Sequence, residues 1–424
     1  MKTYYLLNEP FRFLRYQYTQ GSIMYGNTLP IGINHEALEI LRLCDGTKTL
    51  DDIISINTLL YNDEKKVSNL VTEFLESVVE NKIVSVLTDK LDTPIKIAID
   101  GSKEFWTPLH VTLEMTQQCP LYCKHCFVNA GTGKNMKRDL MLSVGREIVN
   151  LGIKSVQLTG GEPLIHPNFL ELLDLLLNGN IRVNITTSGY YENDELVDCI
   201  ARISAVNGYV QISLDGMANY HNNIRGREDA FEKTINCIEK FIAHGVRVVV
   251  ATCYINQDMD EFDKLCEYVK SIGVHEIKFG VVESKGRAKD NNLETGFEKY
   301  RRISENIDFL RNKYQDDSFL IGKEEELEMK KAEFPNCGCG YNILKIGTDG
   351  CIYDCVFSER AIGKIDVDNG LQQYLLKNAK DIFARTQKVA PCKDVCGECE
   401  ELSRCKGCMV KGRESACSKA HLFM

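Results

Sequence analysis

Apolar positions recur along this chain with changing rhythms, and the changes divide it. Near the start, alternation in Phe11-Arg12-Phe13-Leu14 and the run Ser22-Ile23-Met24-Tyr25 predict short strands, ended by Gly26-Asn27. Ala37, Ile40, Leu41 and Cys44 then recur at helical spacing behind Asn34, a side chain suited to an N-cap, and Asp45-Gly46 closes that helix. Val67, Leu70, Val71, Phe74, Leu75, Val78 and Val79 form the apolar stripe of the last of three helices. From about 107 to 315, apolar strands at 109–115, 155–159, 182–187, 209–214, 247–254 and 276–282 alternate with amphipathic helices such as Phe169–Leu177 and Phe231–His244. Such alternation predicts a parallel sheet with helices outside it. Six units are too few for a closed eight-fold barrel, so an open or partial barrel is expected. Lys323 to Lys331 is a charged, helical linker, and beyond Phe334 long periodic segments are scarce.

Composition changes this picture at one point. Apolar residues at 44% and charged residues at 26% describe an ordinary globular chain. The net charge of −9 argues against nucleic acid as a partner. No apolar run is long enough for a bilayer, and the start lacks the basic, apolar and small-residue regions of a signal peptide, so a cytoplasmic protein without a membrane partner is expected. The 18 cysteines are the exception: three sit between 119 and 126, ten between 337 and 417, and Cys44, Cys199, Cys237, Cys253 and Cys266 are scattered. Clusters of this kind in a reducing compartment point to zinc or iron–sulfur, and bound metal would replace much of the core missing from the last segment. The five scattered ones are expected to be inert core packing.

The central triplet, MTQQCPLYCKHCFVNAG, follows the first barrel strand with spacing Cys-x3-Cys-x2-Cys. Cys119, Cys123 and Cys126 can wrap three irons of a cubane and leave one iron open to a small molecule's amine and carboxylate. A structural zinc site would want a fourth ligand, for which His125 is badly placed inside the triplet, and a ferredoxin would supply a fourth cysteine.

The triplet resembles the signature of the radical S-adenosylmethionine (SAM) superfamily, and the strand–helix units resemble its partial (β/α)6 TIM-like barrel. That resemblance implies a [4Fe-4S] cluster on the three thiols and SAM as cofactor. His125 stands where many members carry an aromatic residue and is read as a packing variant; Phe127 would lie beside the adenine. Gly160-Gly161-Glu162-Pro163, after the second strand, resembles the motif that binds the amine of the SAM methionine; glycines allow close backbone approach and Glu162 can accept from an ammonium. Ser188 in TTSG resembles a ribose or carboxylate contact, and Ser213 and Asp215 in QISLDG resemble polar cofactor-side positions. Arg225 resembles the residue that pairs with the SAM carboxylate.

Further on, Cys337-x12-Gly350-x4-Cys355, then Cys396-x2-Cys399-x5-Cys405, Cys408 and Cys417, resemble the SPASM domain, which implies two auxiliary clusters. By that analogy Cys396, Cys399, Cys405 and Cys417 hold the outer cluster. Cys337, Cys355 and Cys408 hold the inner one, with Cys339, Cys351 or Cys392 as fourth ligand or an iron left open. Two residues separate Cys405 from Cys408 where the family usually has three. Zinc-ribbon use of these cysteines is the structural alternative. The opening stretch, from IMYGNTLPIGINHEALEILRLCDGTKTLDDI to VTEFLESVVENKIVSVL, resembles the PqqD-like domain that takes an extended leader peptide on a sheet edge.

The expected fold is therefore α/β: a winged-helix-like, PqqD-like domain over 1–95, the partial barrel over 96–322, a linker over 323–333, and a cysteine-rich iron–sulfur domain over 334–424. The resemblance implies a maturase that forms a 5′-deoxyadenosyl radical and links a cysteine to carbon in a ribosomally made peptide, as in sactipeptides and ranthipeptides. Carbon–carbon linkage, epimerisation, or action on a small molecule or folded protein are the rival activities, and a non-catalytic metal protein is a more distant one. A leader-bearing precursor peptide and a reductant such as flavodoxin or ferredoxin are the implied partners. No side chain is singled out as a general base; Asp215 is read as an anchor.

Overall fold

The computed structural model of this chain describes residues 2–24, 31–61, 64–293, 297–323 and 337–387. The expected Gly26-Asn27 turn, the linker beyond Lys323, and Cys392, Cys396, Cys399, Cys405, Cys408 and Cys417 lie outside the described residues. Two compact units emerge. The first takes 2–107 with 337–341 and 375–387; the second takes 108–323 with 342–374.

In the first unit, β1 (Tyr4–Leu7), β2 (Phe13–Gln17), β3 (Gln20–Ile23) and β4 (Ile31–Ile33) precede helices α1 (His35–Leu41), α2 (Leu50–Tyr61) and α3 (Glu64–Glu80). Two more strands, β5 (Val84–Leu87) and β6 (Ala98–Gly101), follow. The sheet order is β4-β3-β2-β6, with β1 and β5 forming a separate antiparallel pair. The expected N-cap is present: the Asn34 side chain accepts from the Ala37 N–H at 2.7 Å. The first helix ends at Leu41, earlier than its apolar spacing implied; the Cys44 N–H bonds to Leu41 O in a turn, and Gly46 takes φ +82°. Leu14, Leu38, Leu41, Ile53, Val71 and Leu75 form the core of this unit.

The second unit is built on β7 (His110–Gln118), β8 (Thr132–Asn135), α4 (Arg138–Asn150), β9 (Ser155–Gly160), α5 (Phe169–Asn178), β10 (Arg182–Thr187) and α6 (Asp194–Ala201). It continues through β11 (Tyr209–Ser213), α7 (Ala218–Arg225), α8 (Ala230–Ala243), β12 (Val248–Tyr254), α9 (Met259–Ser271) and β13 (Glu276–Val281). Then come α10 (Arg287–Asp290), α11 (Phe297–Tyr314), β14 (Leu320–Lys323), β15 (Ile343–Ile346), β16 (Cys351–Tyr353) and β17 (Gly363–Lys364). Helix α12 (Leu371–Lys377) spans the division between the units at residue 374, and α13 (Ala379–Thr386) belongs to the first unit. All six expected strands are present and parallel, in the order β13-β12-β11-β10-β9-β7. The helices bury one face as their patterns require; α5 buries Phe169, Leu172, Leu173 and Leu176.

The sheet is larger than six units. Strand β14 adds in parallel beyond β13, and β15 adds in parallel to β7 with Ile343 opposite His110. Two antiparallel strands, β16 and β17, then extend that side. Thus part of the cysteine-rich segment continues the central sheet. No helix among the described residues is long and apolar enough to cross a membrane.

Candidate functional site

Gly160, Gly161, Glu162, Ser188, Ser213 and Asp215 lie where parallel strands meet their following loops, the end at which this architecture places chemistry, while Phe127 lies within the loop after β7 and Arg225 at the end of α7. Cys119 is the first residue after β7, and its N–H donates to Gly131 O, pinning the base of the loop that leads to β8. Cys123 is buried, while Cys119 and Cys126 are partly so. Burial pushes the Cys119 thiol up to about 12, helped by Glu162 and the other two cysteines. Burial also raises Cys123, against the pull of Arg225.

The glycines after β9 have a local reason. Strand β7 bulges between Glu114 and Thr116, and β9 follows it closely. A side chain at Gly160 (φ +152°) would lie 2.3 Å from Thr116 O, and one at Gly161 would lie 2.3 Å from Gln118 O. Glu162 is fully buried and its carboxylate is already filled. It accepts from Thr187 Oγ1 at 2.7 Å, the Ser188 N–H at 2.9 Å, Ser188 Oγ at 2.5 Å and the Leu164 N–H at 3.3 Å. The two expected ligand contacts, Glu162 and Ser188, are thus brought onto each other. Despite the four donors, burial raises the Glu162 pKa.

Ser213 ends β11, half-buried, and Asp215 follows it with no exposure at all. Arg225, the last residue of α7, places Nε 2.9 Å from Asp215 Oδ2 and Nη1 3.7 Å from Cys123 Sγ. It therefore stands between a carboxylate and a cysteine of the triplet. Asp215 Oδ1 also accepts from the Cys253 N–H, and the Asp215 N–H donates to His221 Nδ1. His125 is more than a packing residue: its Nε2 is 3.8 Å from Asp215 Oδ2. Burial alone would raise Asp215; Arg225, His125 and His221 outweigh it and hold the carboxyl low. Burial holds His125 down to about 4 and His221 to about 3, so both rings are neutral near pH 7.

Around this carboxylate, Asp215 Oδ2, Arg225 Nε, His125 Nδ1 and His221 Nε2 are buried atoms without a hydrogen-bond partner, the Asp215–Arg225 contact being an ion pair poorly aligned for one. Buried polar atoms are normally satisfied, so such a group marks a place where a polar ligand fits. The donor chemistry of the triplet fits a cluster as well. Its thiols are near enough to feel one another's charge, as thiols sharing one cluster would be. Phe127, 39% exposed, has its ring 6.2 Å from that of Phe357.

Of the other cysteines, Cys337 and Cys339 lie in the first unit, close enough to Tyr341 to raise its pKa along with burial. Cys351 opens β16 in the second unit, its Sγ 3.1 Å from Asp349 Oδ2, and Cys355 follows that strand. Among the scattered cysteines, Cys44, Cys237 and Cys266 are buried as expected, but Cys199 and Cys253 are partly exposed. Cys253 lies at the end of β12 beside the Asp215 carboxylate, so the pattern of core spacing overlooked its proximity to the site. Arg287, 7% exposed against the triplet loop, was equally unmarked in the sequence, since a Gly-Arg pair in a loop carries no pattern.

Comparison with known proteins agrees with this geometry. Residues 113–269 match the model of the radical SAM superfamily. The chain is 25% identical over 414 residues to the antilisterial bacteriocin subtilosin biosynthesis protein AlbA of Bacillus subtilis, covering 95% of this chain and 89% of that one. It is 28% identical over 283 residues to the sporulation killing factor maturation protein SkfB of the same organism, covering 66% and 67%. The fold is similar to that of Streptococcus suis SuiB bound to S-adenosylmethionine, with TM-score 0.67, 16% identity, and coverage of 98% and 99%. SuiB bound to its precursor peptide SuiA gives TM-score 0.63 at 15% identity, covering 97% of each chain. Residues 113–269 thus match the radical SAM superfamily, and the chain is a SAM-dependent enzyme.

Proposed function

We propose that this radical SAM enzyme is a SPASM-type maturase that cross-links a ribosomally made peptide, forming a thioether between a cysteine sulfur and a peptide carbon. The observation that carries the reading is the meeting of Cys123, one of the three triplet thiols, with Arg225, Asp215 and two neutral imidazoles beyond the ends of β7 and β11. Similarity over nearly the whole length to a subtilosin biosynthesis protein supports the peptide substrate.

Cys119, Cys123 and Cys126 would hold the iron–sulfur cluster, and SAM would complete the site. When bound, the cluster supplies the electron that cleaves SAM to a 5′-deoxyadenosyl radical able to take hydrogen from carbon. The chain's own residues bind, orient and exclude water. Gly160 and Gly161 bring the β9 end against β7, so that backbone at the turn is offered to the SAM amine. Glu162 braces the β10 end through Thr187 and Ser188. Asp215 holds Arg225 in the position where its guanidinium offsets charge on Cys123 and would be available to the SAM carboxylate. Phe127 and Ser213 would line the nucleoside side.

Cysteines 337–417 would carry auxiliary clusters, as the SPASM resemblance implies. The four-stranded sheet of the first unit, with exposed edges and a neighbouring helix, suits a PqqD-like domain that takes the leader peptide as an added strand. A flavodoxin or ferredoxin would deliver the electron.

The test is turnover by anaerobically reconstituted protein with dithionite, SAM and a candidate precursor. The wild type releases 5′-deoxyadenosine and removes one hydrogen molecule from the peptide per link, with loss of one derivatisable thiol. Cys119→Ala releases none. Nucleoside release by that variant at the wild-type rate, or a wild type inert towards SAM, would overturn the reading; a product with all thiols free would leave a carbon–carbon linker in its place.

A further inference from the structure

We infer that Arg287 is a positioning residue of the triplet loop, a clamp that fixes Cys123 and Cys126. The inference rests on the triplet being the cluster site, and it concerns how the loop keeps its shape.

A loop that carries three thiols in eight residues has almost no secondary structure to hold it, and its carbonyls need donors. The segment around α10 supplies them. Arg287 Nε donates to Cys123 O at 2.8 Å, Nη1 donates to Ala130 O at 2.7 Å, and the Arg287 N–H donates to Cys126 O at 3.0 Å. Asn291 Nδ2 adds a bond to Lys124 O at 2.9 Å. The guanidinium carbon lies 4.0 Å from the centre of the Tyr122 ring, so the planar fork is stacked as well as hydrogen-bonded. One buried side chain thereby ties the second cysteine to the far end of the loop, while its own backbone ties the third. A further tie comes from α7, where the Lys124 N–H donates to Ile224 O.

Gly286 makes the approach possible. It takes φ +51°, and a Cβ there would lie 2.6 Å from the carbonyl oxygens of both Cys126 and Phe127. The Gly-Arg pair therefore works as one unit: the glycine lets α10 come up to the loop, and the arginine fastens it. Lysine would keep the charge but lose the fork that reaches two carbonyls at once.

The experiment compares wild type, Arg287→Gln, Arg287→Lys and Gly286→Ala after anaerobic reconstitution. The readout is the fraction of the reduced-cluster electron paramagnetic resonance signal that changes shape on adding SAM, with iron retained during titration by a chelator beside it. Thermal melting of the cofactor-free proteins reports folding. Arg287→Gln and Gly286→Ala should lose the SAM-responsive signal and release triplet iron at roughly tenfold lower chelator concentration, as outer-shell partners of metal ligands do when removed. Arg287→Lys should fall between. Should Arg287→Gln fail to fold, Arg287→Lys and Gly286→Ala carry the test. A full SAM-responsive signal and unchanged iron retention in the folded variants would overturn the clamp and leave the proposed function standing. A wild type without that signal would overturn both.

Discussion

Glu162 and Asp215 follow β9 and β11, both are closed off from solvent, and the protein treats the two carboxyl groups in opposite ways. Glu162 receives four hydrogen bonds, all from neutral hydroxyls and amides, and its pKa is raised. Asp215 receives one backbone bond at Oδ1 and a guanidinium at Oδ2, with two imidazoles near, and its pKa is lowered. Neutral dipoles at Glu162 do not offset the cost of burying charge; a full cation at Asp215 does. The first carboxyl is a brace between strand ends, and the second is a counter-charge that keeps a cation beside a thiol of the triplet.

Removing each carboxylate separates these roles. Asp215→Asn should have the largest effect, about 3–5 kcal/mol of stability in chemical unfolding of the cofactor-free protein, because it strands a buried guanidinium. Since the Asp215 pKa is lowered on folding, its contribution is present above the ordinary aspartate range and lost as pH falls through the lowered value. The difference between wild type and Asp215→Asn should therefore shrink in acid. Glu162→Gln should cost about 1–3 kcal/mol, since an amide places donors where acceptors are needed. Its pH signature is reversed: a raised carboxyl binds a proton more readily folded than unfolded, so wild-type stability declines as pH rises from the ordinary glutamate value to the raised one. Glu162→Gln should lack that decline, and an unchanged slope would remove the distinction drawn here. Ser188→Ala, which deletes one of four donors to Glu162, should cost about 1 kcal/mol by the same measurement.

The two carboxylates also show what a sequence discloses. Both could be found, because each sits in a short polar motif just past an apolar strand. Their partners could not be found equally. Arg225 was visible through the family resemblance, but its contact with Cys123 joins residues far apart in the chain. Thr187 looked like the end of a strand, and only the sheet order brings it to Glu162. The six central strands were legible from their apolar runs, while Leu320–Lys323 and Ile343–Ile346 were missed, being four residues each and set beside charge-rich or cysteine-rich sequence. Asn34 announced its helix correctly, whereas Cys44 shared the spacing of α1 without belonging to it.

The pairing of β15 with β7 bears on how the protein is made. Residues 110–113 lie against residues 343–346, so one side of the strand leading into the triplet loop stays bare until most of the polypeptide has left the ribosome. At ordinary elongation rates that interval is on the order of 10–50 s. An edge left bare for that long is open to wrong pairing, and the sheet closes only when synthesis nears its end.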